Sequence, residues 1–256
     1  MMRVIVLGCG GSGGVPLSDG TWGDCDPAEP RNRRRRPSIL LRHDDSHILV
    51  DTGPDMREQL IDAGCRTLDA VLFTHAHADH VHGIDDLRAF NYQMGRAIDA
   101  WGTRETLAAI RQRFGYVFDL LPEEVEMYRP QLRAREIDGP FAVAGIEVAP
   151  FDQEHYVCRT TGFRFGAFAY STDVVMLDER AFATLDGIHT WIVGCLRETP
   201  HPCHAHLSRV LEWVDRLKPR RTILTHMNHL MDYRTLLQCL PDGVEPGYDG
   251  MVLEIG

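Results

Sequence analysis

The sequence predicts an α/β fold of packed sheets with helices on the outside, built as one domain over residues 1–256. Three observations carry this expectation. At 256 residues the chain is long enough to bury a sizeable core without disulfide or metal staples. Its 44% hydrophobic and 25% charged residues are those of a globular protein, not of a disordered or fibrous one. Short strand-like runs alternate with helix-patterned segments along the whole length, and no repeat, linker or low-complexity stretch divides them.

Residues 3–7, 39–42, 48–50 and 70–74 read as strands, because β-branched and other apolar residues run between turn residues. The polar segment His43-Asp44-Asp45-Ser46 lies between two of these runs and reads as a hairpin connection. Residues 54–63 open on a proline and stop at Gly64, the signature of a helix. Thr103 is placed to cap a helix over residues 104–114. Further strands are expected at 146–151, 162–171, 189–193, 222–225 and 251–255, and a helix at 208–217 that stops before Pro219.

Composition narrows the function. A formal net charge of −10 opposes a general affinity for nucleic-acid backbones, which depends on neutralising phosphates. The run Arg31-Asn32-Arg33-Arg34-Arg35-Arg36 is a local exception, readable as a solvated face or as a phosphate-attracting rim. Seven cysteines at scattered spacings, with no Cys-x-x-Cys, suggest neither a disulfide framework nor a zinc ribbon. The apolar run near the N-terminus is too short for a signal peptide or a membrane span, so a cytoplasmic location is expected. Gly8-Cys9-Gly10-Gly11-Ser12-Gly13 matches a dinucleotide-binding pattern, but Pro16, Gly20, Gly23 and Pro27 leave no helix to hold a pyrophosphate. A tight strand-to-loop turn is the better reading.

The chemistry concentrates in Val71-Leu72-Phe73-Thr74-His75-Ala76-His77-Ala78-Asp79-His80, where an apolar strand runs into three histidines and an aspartate. Neutral imidazoles suit zinc, manganese or iron, and the aspartate adds a hard oxygen. In extended backbone His75 and His77 point the same way and can grip one ion. Asp79 and His80, after the chain turns, can grip another.

This His-x-His-x-Asp-His segment after a Val-Leu-Phe-Thr strand resembles the metallo-β-lactamase superfamily, whose fold is an αββα sandwich. The resemblance calls for a further His, a metal-bridging Asp at a strand end and a late His, met in order by His155, Asp173 and His226. It implies two divalent ions, zinc or manganese with iron as an alternative, held by His75, His77, Asp79, His80, His155, Asp173 and His226. Asp51, in Leu49-Val50-Asp51-Thr52-Gly53, is similar to an aspartate that supports the site from behind; a helix cap is its other reading. Where related cyclic phosphodiesterases carry a cysteine cluster for a structural zinc, this sequence offers only Cys25 beside Asp24, so no such site is expected.

Within the superfamily the chain is most similar to the phosphodiesterase branch, which includes cyclic phosphoribosyl phosphodiesterases and the tRNA 3′-end-processing ribonuclease. Gly10 to Pro16, the arginine run, Leu224-Thr225-His226-Met227 and Tyr248-Asp249-Gly250-Met251 carry that similarity. It implies attack on phosphorus by a metal-bridging hydroxide, with a histidine at a helix start assisting the leaving group. His201, His204 and His206 are candidates, and counting back from His226 favours His204, then His206. Catalytic candidates are thus His204, His206 and Asp79. The expected substrate is a small or cyclic phosphodiester or nucleotide-like molecule. No membrane and no long nucleic acid are expected as partners, and a homodimer stays open. Tyr92 and Arg96 either contact substrate or simply pack and face solvent. Rival readings are a thioester or lactone hydrolase on the same metal site, and a non-catalytic accessory protein that kept the fold.

Overall fold

The computed structural model describes residues 2–122, 125, 128–156 and 158–256. Its strands and helices follow in the order β1 (Met2–Gly8), β2 (Ser38–His43), β3 (Ser46–Val50), α1 (Met56–Asp62), β4 (Ala70–Leu72), α2 (Ala78–Val81), α3 (Arg88–Met94), β5 (Ile98–Gly102), α4 (Arg104–Phe114) and β6 (Leu132–Glu136). The second half adds β7 (Phe141–Val143), β8 (Ile146–Glu154), β9 (Arg159–Phe165), β10 (Phe168–Ser171), α5 (Glu179–Leu185), β11 (Thr190–Gly194), α6 (Leu207–Leu217), β12 (Arg221–Thr225), α7 (Tyr233–Cys239), β13 (Val244–Pro246) and β14 (Val252–Ile255).

Two seven-stranded sheets result, ordered β14-β1-β2-β3-β4-β5-β6 and β13-β12-β11-β10-β9-β8-β7. Both are mixed. β3 to β6 run parallel in the first, and β10 to β13 in the second. Strand alternation then divides the apolar residues by face. Val4, Val6, Ile39, Leu41, Ile48 and Val50 join Phe163, Phe165 and Tyr170 of the second sheet in one buried cluster. Ile5, Leu7, Leu40, Leu49 and Val71 turn the other way, onto Met56 and Leu60 of α1 and Ile110 of α4. Two sheets with helices on the outside are the expected αββα sandwich.

Local signals mostly hold. Thr103 caps α4 by accepting from the Thr106 amide at 3.2 Å. His43 and Ser46 pair across the expected hairpin. The run at 162–171 is not one strand: β9 and β10 pair antiparallel around Gly166, which takes the turn at φ +59°. Aromatic residues on both sides of Gly166 made the run read as one strand, although Gly166 marks the turn. Helix 54–63 shortens to α1, with Asp55 rather than Asp51 in the cap position. The glycine-rich segment after β1 is followed by loop and a short 3-10 turn at Pro30–Asn32, and the first α-helix starts only at Met56. Among the described residues no helix is long and apolar enough to cross a membrane.

Candidate metal centre

Most of the candidate residues lie at carboxyl ends of strands, where the two sheets open together. His75 follows β4, His155 follows β8, Asp173 lies two residues past β10, and His226 directly follows β12. His77 sits at the N-cap position of α2, whose single turn carries Asp79 and His80 back to the same place. The turn is held from below. The Thr52 amide donates to the His80 carbonyl and the Gly83 amide to the Thr52 carbonyl, each at 2.7 Å. A Cβ on Gly53 would stand 2.4 Å from the Asp79 carbonyl oxygen, so only glycine lets these segments approach.

Three sets of ligand atoms form, each lying within 4.8 Å of one another: His75, His77 and His155; Asp79, His80, Asp173 and His226; and His155, Asp173 and His204. His155 joins the first set to the third and Asp173 the second to the third. The Asp173 carboxylate lies 3.0 Å from His80 Nε2, 3.2 Å from His226 Nε2, 3.6 Å from His155 Nε2 and 3.7 Å from His204 Nδ1. All seven residues expected as ligands are therefore brought together.

Hydrogen bonds behind the site decide which ring nitrogen faces it. His155 Nδ1 donates to the Cys203 carbonyl at 2.7 Å, and a carbonyl can only accept. His80 Nδ1 donates to Asp51 Oδ2 at 2.7 Å. The Thr74 hydroxyl donates to the same carboxylate at 2.8 Å and so accepts from His75 Nδ1 at 3.0 Å. Each Nδ1 thus carries the proton, leaving Nε2 with its lone pair directed at the cluster. Nε2 of His75, His80 and His226 and Oδ2 of Asp79 are buried without hydrogen-bond partners. Such orphans cost about 1–3 kcal/mol each, so four together at one point fit the donor set of a cation.

Charge states agree. Burial lowers the pKa of His75 and of His155, which keeps both neutral. Burial opposes the charge on Asp173 and Asp79 as well, yet His226 and His80 beside the first, and His80 and His226 beside the second, hold both carboxyls below their usual range. Burial opposes charge on His80 and His226 too, yet Asp173 raises the pKa of both, so protons on these two rings supply the positive charge beside the carboxylates; a divalent metal takes the same donors with the imidazoles neutral.

His204 enters the cluster, its ring stacked on His226 at 4.8 Å and edge-on to His155 at 4.6 Å. Burial first, and then His226, push it down to about 3. His206 does not join: it occupies the N-cap position of α6, outside all three ligand sets. His201 stands behind His204, ring to ring at 5.2 Å. Arg96 pairs with Asp69 and Tyr92 is 66% exposed, the packed and solvated reading of both.

The arginine run is not a rim of this centre. Arg31 pairs with Glu29 and Arg36 with Asp55, while Arg34 is fully buried and donates to the Asn228 and Met231 carbonyls at 3.2 and 2.6 Å. Arg34 also reaches Cys25 Sγ at 3.8 Å. Residues that sequence reasoning passed over include Thr74, which links Asp51 to His75, and Thr172, whose hydroxyl donates to Asp173 at 2.7 Å. Their one signal is adjacency: each precedes a candidate ligand. Beside His75 and His77 opens a cavity of about 630 Å³, walled by α4 with Arg113 and by the start of β9 with Cys158, Arg159, Thr160 and Thr161.

Known proteins share this architecture. A crystal structure described as a new diphosphatase from the PhnP family matches with a TM-score of 0.90 and 29% identity, over 100% of this chain and 98% of that one. An octanoyltransferase of Porphyromonas gingivalis is 32% identical over 255 residues, 98% of this chain and 51% of that protein. A ribonuclease Z of Clostridium acetobutylicum is 26% identical over 166 residues, 61% of this chain and 47% of that protein. The chain spans about half the length of these curated relatives. A family model described as a β-lactamase superfamily domain matches residues 46–227, from the start of β3 to just past His226. With that match and this two-sheet architecture, the chain belongs to the β-lactamase superfamily and has the metallo-β-lactamase fold.

Proposed function

We propose that this protein is a dinuclear-metal-dependent hydrolase of a small or cyclic phosphodiester. The observation that carries the reading is Asp173, whose two oxygens face histidines from both ligand sets at 3.0 to 3.7 Å. His75, His77 and His155 would hold one divalent ion, and Asp79, His80 and His226 the other, with Asp173 shared. Zinc and manganese suit these donors, and iron is the alternative. When bound, such ions acidify a water and neutralise charge on phosphoryl oxygens.

The chain's own residues do the rest. Asp51 and Thr74 keep the protons of His80 and His75 on the far side of each ring. The Asp173 carboxylate would offset the repulsion of two cations held there. His204 completes neither of the two main ligand sets and stands next to Asp173; burial holds its ring neutral, so it serves the leaving oxygen as an acid once the anionic phosphodiester beside it favours protonation of the ring. General acid assistance is typically worth a factor of ~100 to 10,000. Arg113 and Arg159 line the cavity beside His77 together with Glu105 and Asp152; Arg159 pairs with Asp152 and Glu154, so Arg113 is the residue placed to offer positive charge to an anionic substrate.

Similarity to a protein described as a diphosphatase and to a ribonuclease Z supports attack at phosphorus. The octanoyltransferase name belongs to a protein about twice as long, and it keeps acyl transfer or thioester hydrolysis as the second reading. Elemental analysis combined with turnover of bis(p-nitrophenyl) phosphate and of an acyl thioester separates them. Two metals per chain with metal-dependent phosphodiester turnover is the expected result. Thioester turnover without phosphodiester turnover would replace this proposal with the second reading.

A further inference from the structure

A second cavity, of about 540 Å³, lies on the outer face of the first sheet, and none of the candidate metal ligands lines it. Strand alternation puts Arg3 and Ile5 of β1, Arg42 of β2 and Val252 of β14 on this face. The loop before β2 adds Arg31, Arg33 and Arg35. Five arginines thus face two aspartates, Asp62 and Asp249, in a chain whose net charge is −10.

The acids present do not neutralise this basin. Asp249 is occupied by the backbone amides of Cys9 and Arg35 at 3.1 and 2.8 Å. Asp62 pairs with Arg35, and Glu254 with Arg3, leaving Arg33 and Arg42 without a carboxylate partner among the described residues. Arg42 stands directly across the ladder from Arg3, a like-charge pairing that costs stability. One of its terminal nitrogens donates to the Ala63 carbonyl, while its Nε is buried without a hydrogen-bond partner. A concave, partly apolar wall focuses such uncompensated charge, and guanidinium forks match phosphate oxygens two at a time. Between the arginines the floor is apolar: Ile5 is buried and Val252 is 47% exposed.

From this arrangement we infer that the basin is a binding site for a nucleoside diphosphate or a closely similar anion, separate from the metal centre. The phosphates lie against Arg33 and Arg42, and the less polar body covers Val252.

Calorimetric titration of the metal-loaded protein with α,β-methylene-ADP tests this, since the P–C–P bridge of that probe resists hydrolysis. The titration is repeated on Arg33→Glu and Arg42→Gln, with adenosine as the uncharged control. Binding at the basin should weaken about tenfold or more in each variant, the loss of one charge-assisted contact. Bis(p-nitrophenyl) phosphate turnover should be unchanged, so failure of the metal-centre reading and failure of this one are separable. Isotherms identical in wild type and Arg33→Glu would overturn the inference, as would adenosine binding as tightly as the probe. Arg33 is exposed, so that variant stays informative even where Arg42→Gln misfolds.

Discussion

Asp51 offers the sharpest test of how the centre is held. Its carboxylate is fully buried and accepts three hydrogen bonds, from the Thr74 amide at 2.8 Å, the Thr74 hydroxyl at 2.8 Å and His80 Nδ1 at 2.7 Å. Burial raises its pKa, and the His80 ring works against that rise. Asp51→Ala strands all three donors. The hydroxyl cannot turn its proton to His75, whose Nδ1 already donates to it, so three donors remain without partners, at about 1–3 kcal/mol each, or roughly 3–9 kcal/mol of stability. Asp51→Asn isolates the charge, because asparagine tolerates the left-handed backbone that Asp51 adopts at φ +65°. One oxygen survives, but the new amide group meets a donor with a donor, and the anchor for the His80 proton weakens. Loss of such a supporting partner typically costs 10- to 100-fold in metal affinity, about 1.4–2.7 kcal/mol. Guanidinium unfolding in chelator gives the stability of the metal-free chain, and competition with a chromophoric chelator gives zinc affinity. Zinc binding as tight in Asp51→Asn as in wild type would show that this carboxylate does not orient His80.

Further outcomes follow from the same geometry. His204→Ala should retain its metals and lose a factor of ~100 to 10,000 in phosphodiester turnover, whereas Asp173→Ala should lose metal; equal metal loss in both by elemental analysis contradicts the division of roles. Arg34→Ala should cost about 2–6 kcal/mol in denaturant unfolding, because it leaves the Asn228 and Met231 carbonyls without their buried donor; a change under about 1 kcal/mol contradicts this. Burial pushes the Asp249 carboxyl from 3.8 up to about 7, so the folded chain keeps that proton where the unfolded chain releases it. Stability should therefore be full below about pH 4 for this group and fall as pH rises toward 7, by up to about 4 kcal/mol. Asp249→Asn should flatten that slope, and urea midpoints at pH 5 and 8 that shift equally in wild type and variant would count against it.

The metal centre was legible in sequence because its main segment is local. His75 to His80 are fixed by one strand and one turn, and the expected order of the remaining ligands could be matched along the chain. The proposed acid histidine was less legible: His204 and His206 share a loop whose side chains follow no period, and only the packing of His204 on His226 and His155 separates them. The arginine run shows the same limit. Five like residues in six positions meet five different surroundings, from the exposed Arg33 to the fully buried Arg34, since irregular backbone aims each side chain separately. What no pattern could show is the backbone strain that makes the donors converge. Asp51, Asp173 and His226 all adopt φ between +51° and +65°, a conformation costing about 1–3 kcal/mol for each residue. Each lies just past the carboxyl end of a strand that has a parallel neighbour: β3, β10 and β12. The left-handed turn is what bends each carboxylate or imidazole off its strand axis and into the gap between the sheets. Thr74, Thr172 and the close-packed loop at Thr52 and Gly53 hold the turned segments there, so the strain sits in the rigid frame before any ion or substrate arrives.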